Sequence, residues 1–447
     1  MLYSAFILLF AKGDDMRFRP HSLIRTALVL FLLATTASAE PIPFKRAIEL
    51  ALKHSGTMAI AIAEQTRTRQ NYLVQHDQYL PSIVFGSGLG YAFGIPLTIL
   101  GSAPSIFNVN TSQALYNPAL RSNENAAKVE WKASELDMLD RKNGVILDTA
   151  TFYTQLDSVT AKLSILHQAR QNAQRAQFIT TERLKEGIDS ELDLKRSQLV
   201  AARIQLQVAN AEGQADVLRE RLSKLIGIPA NSIETVTESI PIAPDFPQDD
   251  ETAATVADSN PAVRLAFEHA KAAQLRADAE HKALLPSLDF GSQYAMLAKY
   301  NNYDSFYKKY ERNNYTIGVN IRFPFFNFSQ RAVANAADAD AIKFRRSAEL
   351  ARNDVQAQTL QLQRSLRQLA AARDVAKLDY EVSQGTIETV HAKVVAGQAI
   401  ARDEEQAQLD ANAKYAVYLD SNNDLVRAQI QLLRMTGQIQ EWALGNK

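Results

Sequence analysis

Of the seven histidines, the six that follow the N-terminal segment 1–39, His54, His76, His167, His269, His281 and His391, could hold a metal or relay a proton. They are scattered, and none has the spacing of a ligand pair; His269 and His281 are too far apart to meet on one helix face around a metal. The glycines of "GSGLGYAFG" (86–94) could cradle a phosphate. They fail G-x-G-x-x-G, because Tyr91 follows Gly88 at the third step and Phe93 follows Gly90, and no helix opens after them. No nucleophile elbow or zinc-protease motif occurs. There is no cysteine, which excludes disulfides, thiolate metal sites, a cysteine nucleophile and a lipid-modified N-terminal cysteine. With 49 basic and 49 acidic residues, no net charge draws the chain to nucleic acid or to an anionic surface. Residues 299–314 mix aromatics with Lys308, Lys309 and Arg312, a combination that can bind single-stranded nucleic acid. Between two strands it reads instead as a hairpin loop with an aromatic girdle. The residues thus give no enzyme, no cofactor, no metal site and no nucleic-acid partner.

The elements around these residues say more. "MRFRPHSLIRTALVLFLLATTASAE" has basic residues, an apolar run from Ala27 to Ala34 and the small-x-small end Ala37-Ser38-Ala39. This is the layout of a signal peptide over 1–39, with Met16 the true start. A transmembrane anchor is the other reading, but the run falls short of the roughly 20 residues a spanning helix needs. Insertion of the exported chain in a membrane would have to use β-structure.

The chain repeats itself. "QYLPSIVFGSGLGY" (78–91) echoes "ALLPSLDFGSQYAM" (283–296), "ALYNPAL" (114–120) echoes "RFPFFNF" (322–328), and "RLKEGIDSELDLKRSQL" (183–199) echoes "KVVAGQAIARDEEQAQL" (393–409). The first repeat spans 40–227 and the second 258–437. Each has a helix (about 43–79; about 258–284), two strands, then a long helical hairpin with its tip near Gly187 or Gly397. Residues 228–257 are an irregular connector with four prolines, and 438–447 a C-terminal tail. No proline occurs in 119–228 or after 324. At about 1.5 Å per residue, a helix over 119–185 is about 100 Å long, so such rods must bundle. Leu218, Leu222 and Leu225 share one face, as do Leu425, Ala428 and Leu432. An ordinary buried helical bundle has the same pattern.

Four stretches alternate with the period of strands: 82–94, 106–116, 287–297 and 315–325. Ile83, Phe85, Leu89, Tyr91, Leu288, Phe290, Tyr294, Ile317, Val319 and Ile321 form the apolar side, predicted to face lipid; small or polar residues form the other. A half-buried soluble sheet alternates identically. In lipid a sheet must close to pair every backbone group, and four strands are too few, so a membrane barrel would be shared among copies. Pro81 and Pro286 mark helix-to-strand joints, Pro118 and Pro324 strand-to-helix joints.

"YLPSIVFGSGLGY", "LLPSLDFGSQY", "FPFFNFSQRAVANAADA", "RLKEGIDSELDLKRSQL" and "LVRAQIQLLRMTGQI", in this order, resemble the TolC family of outer membrane channels over 43–440. The resemblance implies a mainly α fold with a membrane β-barrel: a homotrimer with a long periplasmic α-helical barrel and four strands per chain in one twelve-stranded outer membrane barrel. It further implies an exit duct for a multidrug efflux pump or a type I secretion system. The partners would be outer membrane lipid, a periplasmic adaptor and, through it, an inner-membrane transporter. The family closes its periplasmic tip near the second glycine. On that template Asp403 matches a gating aspartate, helped by Glu404 or Glu405. The second aspartate position is Gln406, the tyrosine position Val394 and the arginine position Ala399, which departs from the family's polar latch. A solvated helix N-terminus, where the macrodipole favours Asp and Glu, accounts equally for these acids. An exported coiled-coil scaffold of the cell envelope is the other functional reading.

Overall fold

The computed structural model describes residues 40–88, 105–244, 250–297 and 313–445. The signal segment 1–39, Leu89 and Tyr91, and loop residues 299–312 lie outside the described residues. Asn117 opens the first long helix: its side chain accepts the Leu120 N–H at 3.2 Å, and Pro118 takes the first helical position, where a missing N–H costs nothing. Helix α3 then runs unbroken through Pro118–Lys185 and α4 returns through Glu191–Ile226. Their counterparts in the second half, α7 (Phe328–Val395) and α8 (Ala401–Thr436), have the same lengths, 68 and 36 residues. Among the described residues, no helix is long and apolar enough to cross a membrane.

The helix expected over about 43–79 is two helices, α1 (Phe44–His54) and α2 (Gly56–Asp77), broken where Ser55 is extended. The helix expected over about 258–284 is α6 (Pro261–Lys282), and a further helix, α5 (Asp250–Ser259), precedes it, parted from it at Asn260. There Pro261 drives the preceding residue out of the α region. Helix α5 also corrects the connector, which is helical over 250–257. Its Ala253, Val256 and Ala257 are buried, and Arg352 of α7 reaches Asp258.

Four strands, β2 (Ser82–Gly88), β3 (Ser105–Tyr116), β5 (Ser287–Leu297) and β6 (Asn313–Arg322), pair antiparallel in the order β2-β3-β5-β6. Strand β6 starts two residues before the expected 315 and stops before Phe323, where Pro324 can donate no ladder bond. Among the described residues each outer strand has one partner, leaving an unpaired edge on β2 and on β6.

The core sits at mid-length of the rods. Short strands β1 (Glu40–Ile42) and β4 (Ile233–Thr235) pair in parallel beside α3. Buried Tyr153 ties them: its hydroxyl donates to the Ile42 carbonyl at 2.7 Å and accepts the Val236 N–H at 2.7 Å. Phe44 stacks edge-on against Tyr153 and Trp442. The expected C-terminal tail supplies helix α9 (Ile439–Leu444), whose Ile439 and Ala443 are buried here. Leu218 and Leu222 pack into this core; Leu425, Ala428 and Leu432 pack with Leu366 nearby. Full burial of one such leucine contributes about 1.5–3 kcal/mol.

Candidate functional site

Two places concentrate the residues singled out above: the hairpin tips and one face of the sheet. At each tip the last helical carbonyls need donors, and the chain must reverse within five residues. Gly187 and Gly397 solve it with φ of 75° and 70°, a conformation open to glycine without a Cβ clash. At the first tip Gly187 N–H donates to Leu184 O (3.0 Å) and Ile188 N–H to Arg183 O (2.9 Å). At the second, Gly397 N–H donates to Val394 O (3.0 Å) and Gln398 N–H to Lys393 O (2.8 Å). Val394 and Ala399 are half-buried on this turn.

The acids after Gly397 point to different partners. Asp403 is exposed, and its carboxylate accepts the Ile400 N–H at 3.2 Å, satisfying an orphan donor of α8. Glu404 lies 2.8 Å from His391 across the hairpin. Glu405 is solvent-exposed yet flanked closely enough by protein that desolvation pushes its carboxyl above its ordinary value; Arg402 opposes this and Glu404 adds to it. Gln406 turns away and donates to Asp410 at 3.0 Å. Asp403 and Glu404 therefore share the first turn of α8 and Glu405 follows them, without the three converging on one point. Among the described residues no group of three or more His, Cys, Asp or Glu side chains could hold a metal.

The residue that joins the two tips is one the sequence reading missed. Arg402 reaches across to Asp193 of α4, Nη1 to Oδ1 at 3.1 Å. Asp193 is also the N3 residue of a reciprocal capping box: it accepts the Ser190 N–H (3.3 Å) and hydroxyl (2.6 Å), while the Ser190 hydroxyl oxygen accepts the Asp193 N–H (3.1 Å). The Ser190 hydrogen bond, then Arg402, holds its carboxyl below the usual range. Asp193 stands 210 residues before Asp403, so the repeat marks its position; nothing in sequence marks its partner.

In the sheet, register decides which side chains share a face. Phe85, Val109, Tyr294 and Tyr315 form one cross-strand row, and Ile83, Thr111, Ser292 and Ile317 another two residues away. Phe290 opposes Val319 and Leu288 opposes Ile321 on the same side. All eight described residues expected on the apolar side thus lie on one face. The opposite face carries Asn108, Asn110, Ser112, Asp289, Gln293 and Asn320. One detail differs: a register shift between Ala114 and Tyr116 places Tyr116, not Leu115, opposite Leu288. At the joints, Pro81 and Pro286 directly precede β2 and β5, whereas Pro324 lies in the turn ahead of α7, whose cap is Asn327.

Residues 47–228 match the family model described as outer membrane efflux protein. No curated protein sequence matches. Among solved structures, the fold is similar to that of the outer-membrane channel OprN, with a TM-score of 0.72 at 16% identity, over 97% of this chain and 99% of that one. It is likewise similar to the Campylobacter jejuni CmeC outer membrane channel (TM-score 0.72, 15% identity, 88% and 85% covered). The Vibrio cholerae outer membrane protein VceC gives a TM-score of 0.70 at 14% identity, with 88% and 96% covered.

Proposed function

From the match of residues 47–228 to the outer membrane efflux protein model, we propose that the chain is one protomer of a passive exit duct in the bacterial outer membrane. The strands lie in the bilayer and the long helices in the periplasm. The duct is the outer part of a tripartite efflux pump or type I secretion system, carrying small toxic compounds or proteins. It docks through a periplasmic adaptor to an inner-membrane transporter, which supplies the energy. No residue performs chemistry on the cargo.

One observation carries the reading: the single chain is unfinished at both edges. Among the described residues, strands β2 and β6 have unpaired edges, and their apolar face is exposed, with Ile83, Phe85, Ile317, Val319 and Ile321 more than half accessible. In lipid, open edges are untenable, so copies of the chain must close the sheet. The helical part has matching edges. On α4, Leu192, Leu199 and Leu206 recur every seventh residue on an exposed stripe; on α7, exposed Val375, Leu378 and Val382 follow at steps of three and four, with Val375 and Val382 seven apart. A sevenfold apolar repeat on an exposed edge is the pattern of a coiled-coil seam. Joining α4 of one copy to α7 of the next closes a ring, and the family resemblance supports a trimer.

The test is extraction and conductance. Release only by detergent, as a heat-modifiable trimer that conducts ions in planar bilayers, is the expected result. Release by salt as a monomer would overturn the duct and favour the exported scaffold. L206E should weaken the trimer while leaving each protomer folded, because the Leu206 side chain is 61% exposed in its own chain.

A further inference from the structure

Two helices share the slot between α3 and α7, and their meeting leaves a gap. Helices α6 and α8 both pack between α3 and α7, end to end. Helix α8 stops at Thr436, where Gly437 takes a φ of 77°, and α6 begins at Pro261. Asn260 ties the two ends, its side-chain amide donating to the Met435 carbonyl at 3.2 Å. Beside this handover a cavity of about 390 Å³ remains. That is enough for a small organic molecule.

The lining has a distinct chemistry. Leu147 of α3, Leu362 of α7 and Met435 of α8 give it an apolar patch, Gln361 and Gln431 give it amides, and Arg434 is the charged residue among those that line it. Arg434 donates to Asp140 only at 3.4 Å, and its side chain stays 38% exposed, so most of its donor fork is open. Asp148, the other acid near Arg434, does not line the cavity; burial pushes its carboxyl above the ordinary value, with Arg434 opposing.

What α8 buries decides which way the cavity faces. Ile430 and Leu433 enter the core with Phe44 and Tyr153, while Leu425, Ala428 and Leu432 pack with Leu366 of α7. Gln431, Arg434 and Met435 occupy the side that these contacts leave. Three copies of that core would fill a duct from within, so the core belongs outside the helical wall and the cavity opens inward. The lining comes from one chain, and copies join through α4 and the exposed stripe of α7, so no neighbour covers it. We propose that this cavity is a cargo subsite of the duct for amphipathic organic anions. The apolar patch takes the body of the molecule, the Arg434 fork takes its carboxylate or sulfonate, and the glutamine amides donate to the remaining oxygens. The proposal rests on the duct reading above.

The test uses the full chain in planar bilayers, with naphthalenesulfonate as the probe and naphthylmethylammonium as its cationic counterpart. Naphthalenesulfonate should interrupt the open current, and R434Q should shorten each block about tenfold, the loss of one charge-assisted hydrogen bond. Q361E adds a carboxylate to the lining and leaves Arg434 in place; it should also shorten the sulfonate block and lengthen that of the ammonium. A wild-type channel that conducts without sulfonate block, or that the ammonium blocks as well as the sulfonate, would overturn the site. So would sulfonate blocks unchanged in both variants. Calorimetry on the detergent-solubilised chain separates the two readings. Sulfonate binding that R434Q weakens, in a wild type that does not conduct, would overturn the duct and the cargo role while keeping the cavity as an anion site.

Discussion

At the first hairpin tip, Arg183 grips Asp189 across the turn (Nε to Oδ2, 3.0 Å) and Ser190 caps α4. At the second tip, Lys393 and Ala399 occupy the places of Arg183 and Asp189, and Ile400, whose side chain can accept no hydrogen bond, stands where Ser190 would. Both turns nevertheless have the same backbone, with a glycine at positive φ and the same pair of closing bonds. The comparison separates two tasks. The backbone and its glycine make the reversal; the side chains decide how tightly each tip is held. The braced tip is also the anchor, because the link from the second hairpin, Arg402, ends on Asp193 within the first tip's capping box.

If that division holds, cutting the link should matter most. R402A removes the ion pair between the tips while leaving both turns closed by backbone. The expected outcome is a severalfold rise in single-channel conductance and a sharp loss of protection in amide exchange at 397–406, with 187–196 little changed. Equal loosening of both tips would break the comparison. D403A acts on the second tip alone, removing the carboxylate that accepts the Ile400 N–H, and, where three copies surround an axis, it should weaken block by multivalent cations. Unchanged conductance records would dismiss Asp403 as a gate residue.

A smaller, reciprocal effect follows from the caps. S190A should destabilise the first tip by about 1 kcal/mol, the usual cost of losing an N-cap, and I400S should stabilise the second by a similar amount. Hydrogen exchange of the first turns of α4 and α8 measures both. Should I400S bring no protection, the second tip is held by something other than its cap, and the asymmetry lies elsewhere.

What could be read in advance was what repeats along the chain. Strand β5 coincides with its alternating stretch, since the period of two persists from Ser287 to Leu297. The long helices follow from proline-free runs ended by glycine. Single-residue events were hidden: a break at Ser55 leaves the helical period of its neighbours intact, and the register shift before Tyr116 changes a face without changing composition. Short helices α5 and α9 were missed because ten and six residues hold too few turns for a period, and both owe their burial to distant partners. The acids at Asp403–Glu405 were legible as a cluster. The Arg402–Asp193 pair was not, because two residues 209 apart meet only through tertiary structure.

The weakest expected effect carries the comparison of the two halves to the upper part of the bundle. Glu130 of α3 takes His269 (Nδ1, 3.0 Å) and Arg276 (Nη2, 3.0 Å) from α6, a link between the halves of the chain. At the position 205 residues before His269 stands Glu64, which pairs with Arg67 in its own helix. The hydrogen bond to Glu130 raises the His269 pKa against the opposing effects of burial and Arg276, with Asp137 adding a smaller upward push. Burial pushes Glu130 up, but His269 and Arg276 more than offset it and leave it lowered. A raised histidine contributes fully below its ordinary value, about 6.5, and loses its contribution as pH rises through the folded value. The lowered Glu130 contributes above the ordinary carboxylate value and loses this as pH falls through its own folded value. The pair therefore stabilises most at mildly acidic pH. Because His269 is partly exposed, the gain is at most about 0.5–1 kcal/mol. Thermal melting should show a lower midpoint above neutrality than at mildly acidic pH, and H269Q should remove that difference. E64Q should leave it intact, since the lowered Glu64 titrates only in the carboxylate range. If E64Q flattens the profile as H269Q does, the pH response belongs to the whole bundle and not to the seam that joins its halves.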